Sequence, residues 1–290
     1  EEAIERGPET IAVMTHRFPL RNAAGAIAEL VTIRTDNTYR KTLEHEAAQR
    51  TLWEERIWSA LGEGRLLAYS QPIVDIATGA KVAEELLVRL RVAETEEILS
   101  PAEFLPQCEK YGLIPVIDRY MIGRAIDLAY SGGNVCVNIT GQTMGDPTAM
   151  GEILDALTTA GPEVADKITF EITESIALAS PAVAKTFSAG MRELGCRVAL
   201  DDFGTGYGTF TELRHLHLDS LKIDLSFVQQ MLHDREDERV VKTIVAVAQA
   251  YDLTTVAEGV ETQALLERLA ELGADRAQGY LFGKPQPIHW

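Results

Sequence analysis

The chain has 290 residues, of which 46% are hydrophobic and 24% are charged, a composition typical of a globular protein with one large domain and a smaller appendage. Its formal net charge of −17 argues against binding to a DNA or RNA polymer or to an anionic membrane surface. No apolar run approaches the roughly 18 to 20 residues of a membrane span, so we expect no membrane contact from this part of the chain.

The N-terminal segment has the pattern of a β-hairpin followed by a helix. Residues 10–19 and 26–35 are apolar and β-prone, and a short run of turn-forming residues at 21–25 separates them. A polar, helix-forming stretch then runs from residue 38 to 61, with apolar residues at loose helical spacing. The sequence therefore predicts a hairpin and a linker helix ahead of the main domain.

From Leu66 onward, strand-like runs recur at regular intervals, most of them separated by helix-like segments such as 117–130, 180–194 and 236–250. The strand-like runs are 66–75, 80–90, 134–139, 167–173, 197–201, 219–224, 253–257 and 275–279. This rhythm predicts an α/β fold, a modified TIM (β/α)8 barrel. Only residues 76–79 separate the first two strands, which is too short for a parallel crossover, so the first strand must run antiparallel.

Polar side chains cluster at the ends of these strands. They are Glu85 and Arg89, Asn138, Glu171, Asp201 and Asp202, Lys222, Glu258, and Gln278. A single such residue is usually a helix cap or a turn, but the carboxyl ends of barrel strands converge on one mouth. Several carboxylates around one point repel each other unless cations bind between them. Because hard oxygen ligands suit Mg²⁺ or Mn²⁺, the pattern predicts metal-assisted hydrolysis of a phosphate ester.

Two histidine patterns have ordinary explanations. His233-Asp234 spells the core dipeptide of another phosphodiesterase class, the HD type, but that class needs further histidine ligands, and the chain has six scattered histidines. His215-x-His217 has the spacing of a zinc site, but it lies on a short link between a helix and a strand and has no cysteine close in sequence. We interpret the first as the end of a surface helix and the second as structural.

The motifs at the strand ends resemble the EAL family of cyclic di-GMP phosphodiesterases, over roughly Leu61 to Pro287. The signature is Glu85-Leu86-Leu87-Val88-Arg89, followed in family order by VNIT, FEITE, DDFGTGYG, LKIDLSFV, AEGVET and QGYLFGKP. The chain departs from the family at Leu86, where the family has alanine, and at Leu90, where the family has an aromatic residue. Leu86 should point away from Glu85 and affect packing alone.

The resemblance implies metal ligands, substrate contacts and catalytic residues. The implied ligands of two Mg²⁺ or Mn²⁺ ions are Glu85, Asn138, Glu171, Asp201, Asp202 and Glu258, with Asp201 as the bridge and Asp202 and Glu258 acting directly or through water. The implied substrate contacts are Gln71, Leu87, Arg89 and Gln278, of which Gln278 also resembles a partner that supports the ligands. Lys222 resembles the residue that holds the attacking water, Glu258 is also a candidate general base, and Glu85 completes the catalytic set.

The implied reaction is hydrolysis of cyclic di-GMP to linear 5′-pGpG, which ends a bacterial second-messenger signal. The alternative is a catalytically silent EAL domain that acts as a cyclic di-GMP receptor. Silent members typically lose metal ligands, and none is lost here.

The N-terminal run resembles the end of a PAS sensor domain, in which a last hairpin ends in an Asp-x-Thr motif before a linker helix. Here that motif is Asp36-Asn37-Thr38. The implied organisation is a PAS-like remnant over 1–37, a linker helix over 38–61 and the EAL domain over 62–290. The resemblance further implies a homodimer in which the segment 203–210, fixed by Glu174, couples the sensor to the metal centre.

The cysteines and the first residue bear on the cellular location of the protein and on the extent of the chain. The three cysteines are far apart in sequence and form no CxxC pair, so we expect reduced thiols in a cytoplasmic protein. The chain begins with Glu1, so we also expect it to be a piece of a longer protein.

Overall fold

The computed structural model describes residues 2–6, 9–93, 95–205 and 216–288, with side chains from residue 12 onward. The chain divides into two compact units, Glu1–Trp58 and Ser59–Trp290. None of the described helices has the length and apolar character needed to cross a membrane.

The first unit contains a three-stranded antiparallel sheet. Its strands, in spatial order, are β1 (Glu2–Arg6), β2 (Glu9–Arg21) and β3 (Ile27–Asp36). The turn between β2 and β3 is closed by the carbonyl of Asn22, which accepts from the N–H of Gly25 at 2.9 Å. The predicted hairpin is therefore confirmed, whereas β1 was not anticipated. The Asp36 carboxylate accepts from the N–H of Thr38 at 2.9 Å, where the predicted linker helix begins.

The second unit is a closed eight-stranded barrel. Its strands are β4 (Leu66–Asp75), β5 (Lys81–Arg91), β7 (Val135–Asn138), β8 (Ile168–Thr173), β9 (Arg197–Phe203), β10 (Ser220–Ile223), β11 (Thr254–Ala257) and β12 (Arg276–Gln278). Around the barrel the order is β4, β12, β11, β10, β9, β8, β7, β5, and β5 pairs with β4 to close it. Two-residue strands β6 (Ile98–Leu99) and β13 (Gln286–Pro287) pair with β5 and β4.

Strand directions confirm the modified barrel. β4 is antiparallel to both of its neighbours, β5 and β12, whereas β5 and the strands from β7 to β12 run parallel to one another. The link between Asp75 and Lys81 is too short for a crossover helix. Within it, the Asp75 carboxylate accepts from the N–H and hydroxyl of Thr78.

Helices surround the barrel strands. Together with the linker helix, the helices are Thr38–Gly62, Pro101–Lys110, Ile114–Tyr130, Gly141–Met144, Pro147–Ala160, Pro162–Ala165, Glu174–Ala179, Pro181–Glu193, Leu225–Gln230, Arg235–Ala250 and Gln263–Leu272. Phe170 of β8 packs edge-on against Phe187 of the helix Pro181–Glu193, with ring centroids 5.6 Å apart. Phe170 therefore lies on the outer face of β8, toward the helices. Because side chains alternate along a strand, the next residue, Glu171, faces the barrel interior.

Carboxylates close the amino-terminal end of the barrel, which we call the floor and define by Asp219 and Asp275. Asp219 precedes β10, and its carboxylate accepts from the N–H of Val198 in β9 at 2.8 Å. Asp275 precedes β12, and one oxygen accepts from both the N–H and the hydroxyl of Thr255 in β11 at 2.8 Å. The floor therefore ties neighbouring strands together through side chain-to-backbone hydrogen bonds.

Candidate active site

At the opposite end, which we call the mouth, the ammonium group of Lys222 lies among four carboxylates. Lys222 comes from β10 and is 1% exposed. Its Nζ atom lies 2.7 Å from Glu258 Oε1, 2.9 Å from Glu171 Oε2, 3.3 Å from Asp201 Oδ1 and 3.4 Å from Glu85 Oε2. We call these five residues the mouth cluster.

The mouth cluster is strongly unbalanced in charge. Burial disfavours a charged lysine, yet the surrounding carboxylates outweigh that effect and raise the pKa of Lys222 well above its ordinary value. Burial together with the neighbouring charge of Glu85 raises the pKa of Glu171 well above its ordinary value, although Lys222 opposes the shift. Burial likewise raises the pKa of Glu258 to about 8. One ammonium group is therefore too little positive charge for the oxygens gathered here.

Glu85 differs from Glu171 and Glu258 because its pKa is lowered. Burial opposes its charge, but the ammonium of Lys222 and hydrogen bonds from two amides lower the pKa of Glu85. The amides are Asn138, whose Nδ2 donates to Oε1 at 3.0 Å, and Gln278, whose Nε2 donates to Oε2 at 2.7 Å. The structure thus brings together β5, β7 and β12 around one carboxylate.

Gln278 also links the cluster to Gln71 on β4. Its Nε2 donates to Gln71 Oε1 at 3.1 Å, and Gln71 Nε2 donates to the carbonyl of Gly283 at 3.0 Å. The Oε1 atom of Gln278 is buried without a hydrogen-bond partner among the described residues. A buried acceptor of this kind needs a donor, and a water held by a cation would supply one.

A second group of oxygens lies beside the first. Asp201, Asp202 and Glu258 each offer a carboxylate oxygen, and these atoms all lie within 4.8 Å of one another. Asp202 adopts a positive φ of 55°, which is uncommon outside glycine. Burial, with the charges of Asp201 and Asp224, raises the pKa of Asp202 to about 6. From the sequence, Asp224 is expected on the same strand face as Lys222, two positions earlier, but it was assigned no role in the site.

The oxygen atoms at the mouth fit divalent cations as ligands. They are hard oxygens and carry excess negative charge. In addition, the amide oxygen of Gln278 lacks a hydrogen-bond donor among the described residues. Glu85, Asn138, Glu171 and Asp201 are the residues that would hold one cation, and Asp201, Asp202 and Glu258 the residues that would hold a second.

Two backbone segments at the mouth approach so closely that only glycine fits between them. A Cβ atom on Gly279 would lie 2.2 Å from the carbonyl oxygen of Val260. The N–H of Val260 donates to the carbonyl of Gln278 at 3.0 Å, and the N–H of Leu281 donates to the carbonyl of Val260 at 3.0 Å. Glu258 and Gln278 are therefore fixed relative to each other by their own loops.

A cleft of about 380 Å³ opens beside the mouth cluster. It contains the predicted substrate contacts Gln71, Leu87, Arg89 and Gln278, and also Glu85, Asp201 and Glu258. Arg89 is half-buried, with its guanidinium 5.3 Å from the centre of the Tyr69 ring. Further lining residues were not assigned from the sequence: Leu225, Gln229, Gly259, Glu261, Tyr280 and Pro285. Gly259, Glu261, Tyr280 and Pro285 lie inside the motifs AEGVET and QGYLFGKP. Their place in these motifs was the sequence signal that could have identified them.

Glu174 reaches the segment that follows the Asp201-Asp202 pair. Its Oε2 accepts from the N–H of Gly204 at 2.9 Å, and the residue is 4% exposed. The cap of the helix Glu174–Ala179 is Thr173, whose hydroxyl accepts from the N–H of Ile176, so Glu174 is not the cap. Of the predicted coupling segment 203–210, residues 206–210 lie outside the described residues, as does His215.

The histidine patterns have structural surroundings where they are described. Asp234 caps the helix Arg235–Ala250 by accepting from the N–H of Glu236 at 2.7 Å, so His233-Asp234 does mark a helix end. His217 Nδ1 lies 3.1 Å from Arg192 Nη1.

Comparison with known proteins gives consistent matches. The EAL domain family matches residues 54–285. Among curated proteins, the cyclic di-GMP phosphodiesterase PdeF of Escherichia coli K12 is 31% identical over 286 residues, covering 95% of this chain and 38% of that protein. The cyclic di-GMP phosphodiesterase PdeB of Shewanella oneidensis is 33% identical over 243 residues, covering 81% of this chain and 28% of that protein. The chain thus spans about a third of the length of these relatives.

Solved structures show the same fold. The PaMucR phosphodiesterase in its c-di-GMP complex superposes with a TM-score of 0.75 at 31% identity, covering 82% of this chain and 98% of that one. The FimX EAL domain from Pseudomonas aeruginosa bound to c-di-GMP gives a TM-score of 0.74 at 28% identity, covering 81% and 96%. The motifs, the barrel with its antiparallel first strand and these matches together show that the chain belongs to the EAL domain family.

Proposed function

We propose that this protein hydrolyses cyclic di-GMP to linear 5′-pGpG with the help of two divalent cations, Mg²⁺ or Mn²⁺. The observation that carries the proposal is the mouth cluster, where four carboxylates surround Lys222 beside a cleft that also contains Arg89 and Gln71. Relatives named as cyclic di-GMP phosphodiesterases support this choice of substrate.

Each residue of the site has a chemical task in the proposed reaction. When bound, the cations would make an attacking water acidic and stabilise the leaving oxygen. Lys222 holds that water and stabilises negative charge as the water attacks phosphorus. We assign to Glu258, whose Oε1 lies 2.7 Å from Lys222 Nζ, the task of accepting a proton from that water. Arg89 and Gln71 hold the phosphate and the rest of the substrate, while Gln278 holds Glu85.

The proposal is tested by incubating cyclic di-GMP with the protein with and without Mg²⁺ and separating the products by chromatography. We expect pGpG with Mg²⁺ or Mn²⁺, none in excess EDTA, and no rescue by Ca²⁺, whose longer and looser coordination misplaces the water. Turnover that persists undiminished in EDTA would contradict metal dependence.

A Lys222→Ala variant separates an enzyme from a receptor. We expect it to keep its affinity for cyclic di-GMP in titration calorimetry while hydrolysis largely stops, because the lysine charge matters most during attack. An affinity loss as large as the rate loss would assign Lys222 to substrate binding. Binding by the wild-type chain without any product would instead support the alternative function, a cyclic di-GMP receptor.

We further propose that residues 1–37 belong to a PAS-like sensor joined through the linker helix to the EAL domain, and that the chain acts as a homodimer. The hydrogen bond from Gly204 to Glu174 supports a role for Glu174 in fixing the segment after Asp202. In that case Glu174→Ala weakens both Mg²⁺ affinity and activity, so that more Mg²⁺ is needed for half-maximal activity, although Glu174 is not a ligand. An unchanged Mg²⁺ dependence, or a fully active monomer in sedimentation, would remove this coupling.

A further inference from the structure

A buried carboxylate outside the mouth cluster makes an unusual set of contacts. Asp118 lies in the helix Ile114–Tyr130 and is 7% exposed. Its Oδ2 accepts from the N–H of Thr140 at 3.0 Å, from the hydroxyl of Thr140 at 2.9 Å and from the hydroxyl of Thr143. Burial raises the pKa of Asp118 to about 6 despite these hydrogen bonds. Holding this charge therefore works against folding.

The contacts of Asp118 converge on the point where β7 leaves the barrel. Asn138 is the last residue of β7, and the N–H of Ile139 donates to the carbonyl of Glu171 at 3.0 Å. Thr140 comes next, and the helix Gly141–Met144 starts immediately after it. The exit of β7 is therefore held on one side by β8 and on the other by Asp118.

The direction of the Asn138 side chain depends on this exit. β7 has only four residues, Val135–Asn138, so the peptide that follows Asn138 is a large part of what fixes its backbone. Asn138 donates its Nδ2 to Glu85 at 3.0 Å, which makes its Oδ1 the atom available to a cation. Partners that orient metal ligands are worth about 10- to 100-fold in metal affinity in other sites.

We propose that Asp118 is a positioning residue of the metal centre, which acts through Thr140 to hold Asn138 in its ligand geometry. The inference rests on the proposed function, because it takes Asn138 as a cation ligand. A purely structural role, in which Asp118 only stabilises the short helix Gly141–Met144, would leave metal affinity unchanged in the folded protein.

Two threonines offer a matched pair of tests. Thr140→Val and Thr143→Val each remove one hydroxyl donor to the same Asp118 oxygen by an isosteric change, but only Thr140 lies at the β7 exit. Mn²⁺ affinity is measured by electron paramagnetic resonance of the free ion, well below the unfolding temperature of each variant. We expect Thr140→Val to weaken Mn²⁺ binding several-fold, approaching about 10-fold, and Thr143→Val to stay within about twofold of wild type.

Two changes at Asp118 itself complete the series. Asp118→Leu removes every acceptor, and we expect it to weaken Mn²⁺ binding by about 10-fold or more. Asp118→Asn keeps one oxygen acceptor for Thr140, so we expect it to retain near-wild-type affinity.

The inference is overturned if Thr140→Val binds Mn²⁺ as wild type does, or if both threonine variants lose affinity equally. It is also overturned if Asp118→Leu folds and keeps wild-type affinity. If Asp118→Leu does not fold, the threonine pair decides alone. A wild-type chain that binds no Mn²⁺ would overturn both this inference and the proposed metal dependence. If the wild-type chain hydrolyses cyclic di-GMP and Thr140→Val has wild-type Mn²⁺ affinity, only this inference is overturned.

Discussion

The two ends of the barrel both carry carboxylates, but they meet their electrostatic needs in different ways. At the floor, Asp219 and Asp275 are exposed, and each accepts hydrogen bonds from the backbone of a neighbouring strand. At the mouth, Glu85 and Glu171 are buried and share the ammonium of Lys222 with further carboxylates.

The difference separates residues that stabilise the fold from residues held for chemistry. A floor carboxylate is satisfied by donors that the strands themselves supply, so removing it should lower stability and leave the reaction untouched. A mouth carboxylate repels its neighbours, so removing it should abolish the reaction with little loss of stability.

The largest effect is expected for Glu85→Ala. We expect kcat to fall at least about 100-fold, because a cation ligand is lost. The matched control is Glu84→Ala, since Glu84 is adjacent on the opposite face of β5 and pairs with Lys81. Steady-state kinetics should show the control within about twofold of wild type; wild-type turnover in Glu85→Ala would refute the ligand assignment.

The next effect concerns Asp118 and the pH dependence of stability. Because the pKa of Asp118 is raised from 3.8 to about 6 in the folded state, the folded state favours the protonated acid. Its contribution to stability is fully present below pH ~4 and is lost as pH rises to about 6. Relative to wild type, Asp118→Asn should therefore gain up to about 3 kcal/mol in unfolding free energy between pH 4 and 7. Urea unfolding across this range measures it, and a constant difference between the two proteins would contradict the account.

A smaller effect is expected at the floor. Asp275→Ala leaves the N–H and hydroxyl of Thr255 without their acceptor, and Thr255 is 1% exposed. We expect a loss of roughly 1–3 kcal/mol in unfolding free energy, with kcat per folded molecule unchanged. Asp127→Ala is the control, because its ion pair with Arg124 is on the surface and contributes about 0–1 kcal/mol. A fall in kcat without a fall in stability would reverse the assignment of the two barrel ends.

The smallest effect is expected for Arg89→Ala. Arg89 lies in the cleft but not in the mouth cluster, and a phosphate clamp contributes to ground-state binding. We expect KM to rise about 10-fold, equivalent to about 1.4 kcal/mol, with a smaller change in kcat. Initial rates over a range of cyclic di-GMP concentrations separate the two constants. A change confined to kcat would move Arg89 from substrate binding to the chemical step.

Much of the barrel could be predicted from the sequence because its strands are apolar runs and helix-like segments separate most of them. The antiparallel β4 followed from the short link at 76–79, which leaves no room for a crossover. β6 and β13 were missed because two-residue strands carry no periodicity and form only by pairing with a longer neighbour. β1 was missed for a related reason, since its pairing with β2 is set by the sheet.

The site was predictable where a polar residue interrupts an apolar strand. Spacing alone could not show that the Lys222 ammonium lies among the carboxylates, because this depends on side chains from four other strands or strand exits. Asp118 was missed although an acidic residue in the apolar run Ile114–Ile126 was a visible signal. Its partners, Thr140 and Thr143, are distant in sequence and become neighbours only when the helix packs against β7.

We infer that the folded chain already holds the oxygen atoms of the mouth in place for two cations, and calorimetric titration with Mn²⁺ measures their binding. We expect wild-type protein to bind two Mn²⁺ ions per chain and Glu85→Ala to lose at least one of them, while Asp275→Ala binds both as wild type does. Absence of Mn²⁺ binding at millimolar concentration in the folded wild-type protein, or undiminished binding by Glu85→Ala, would contradict the account.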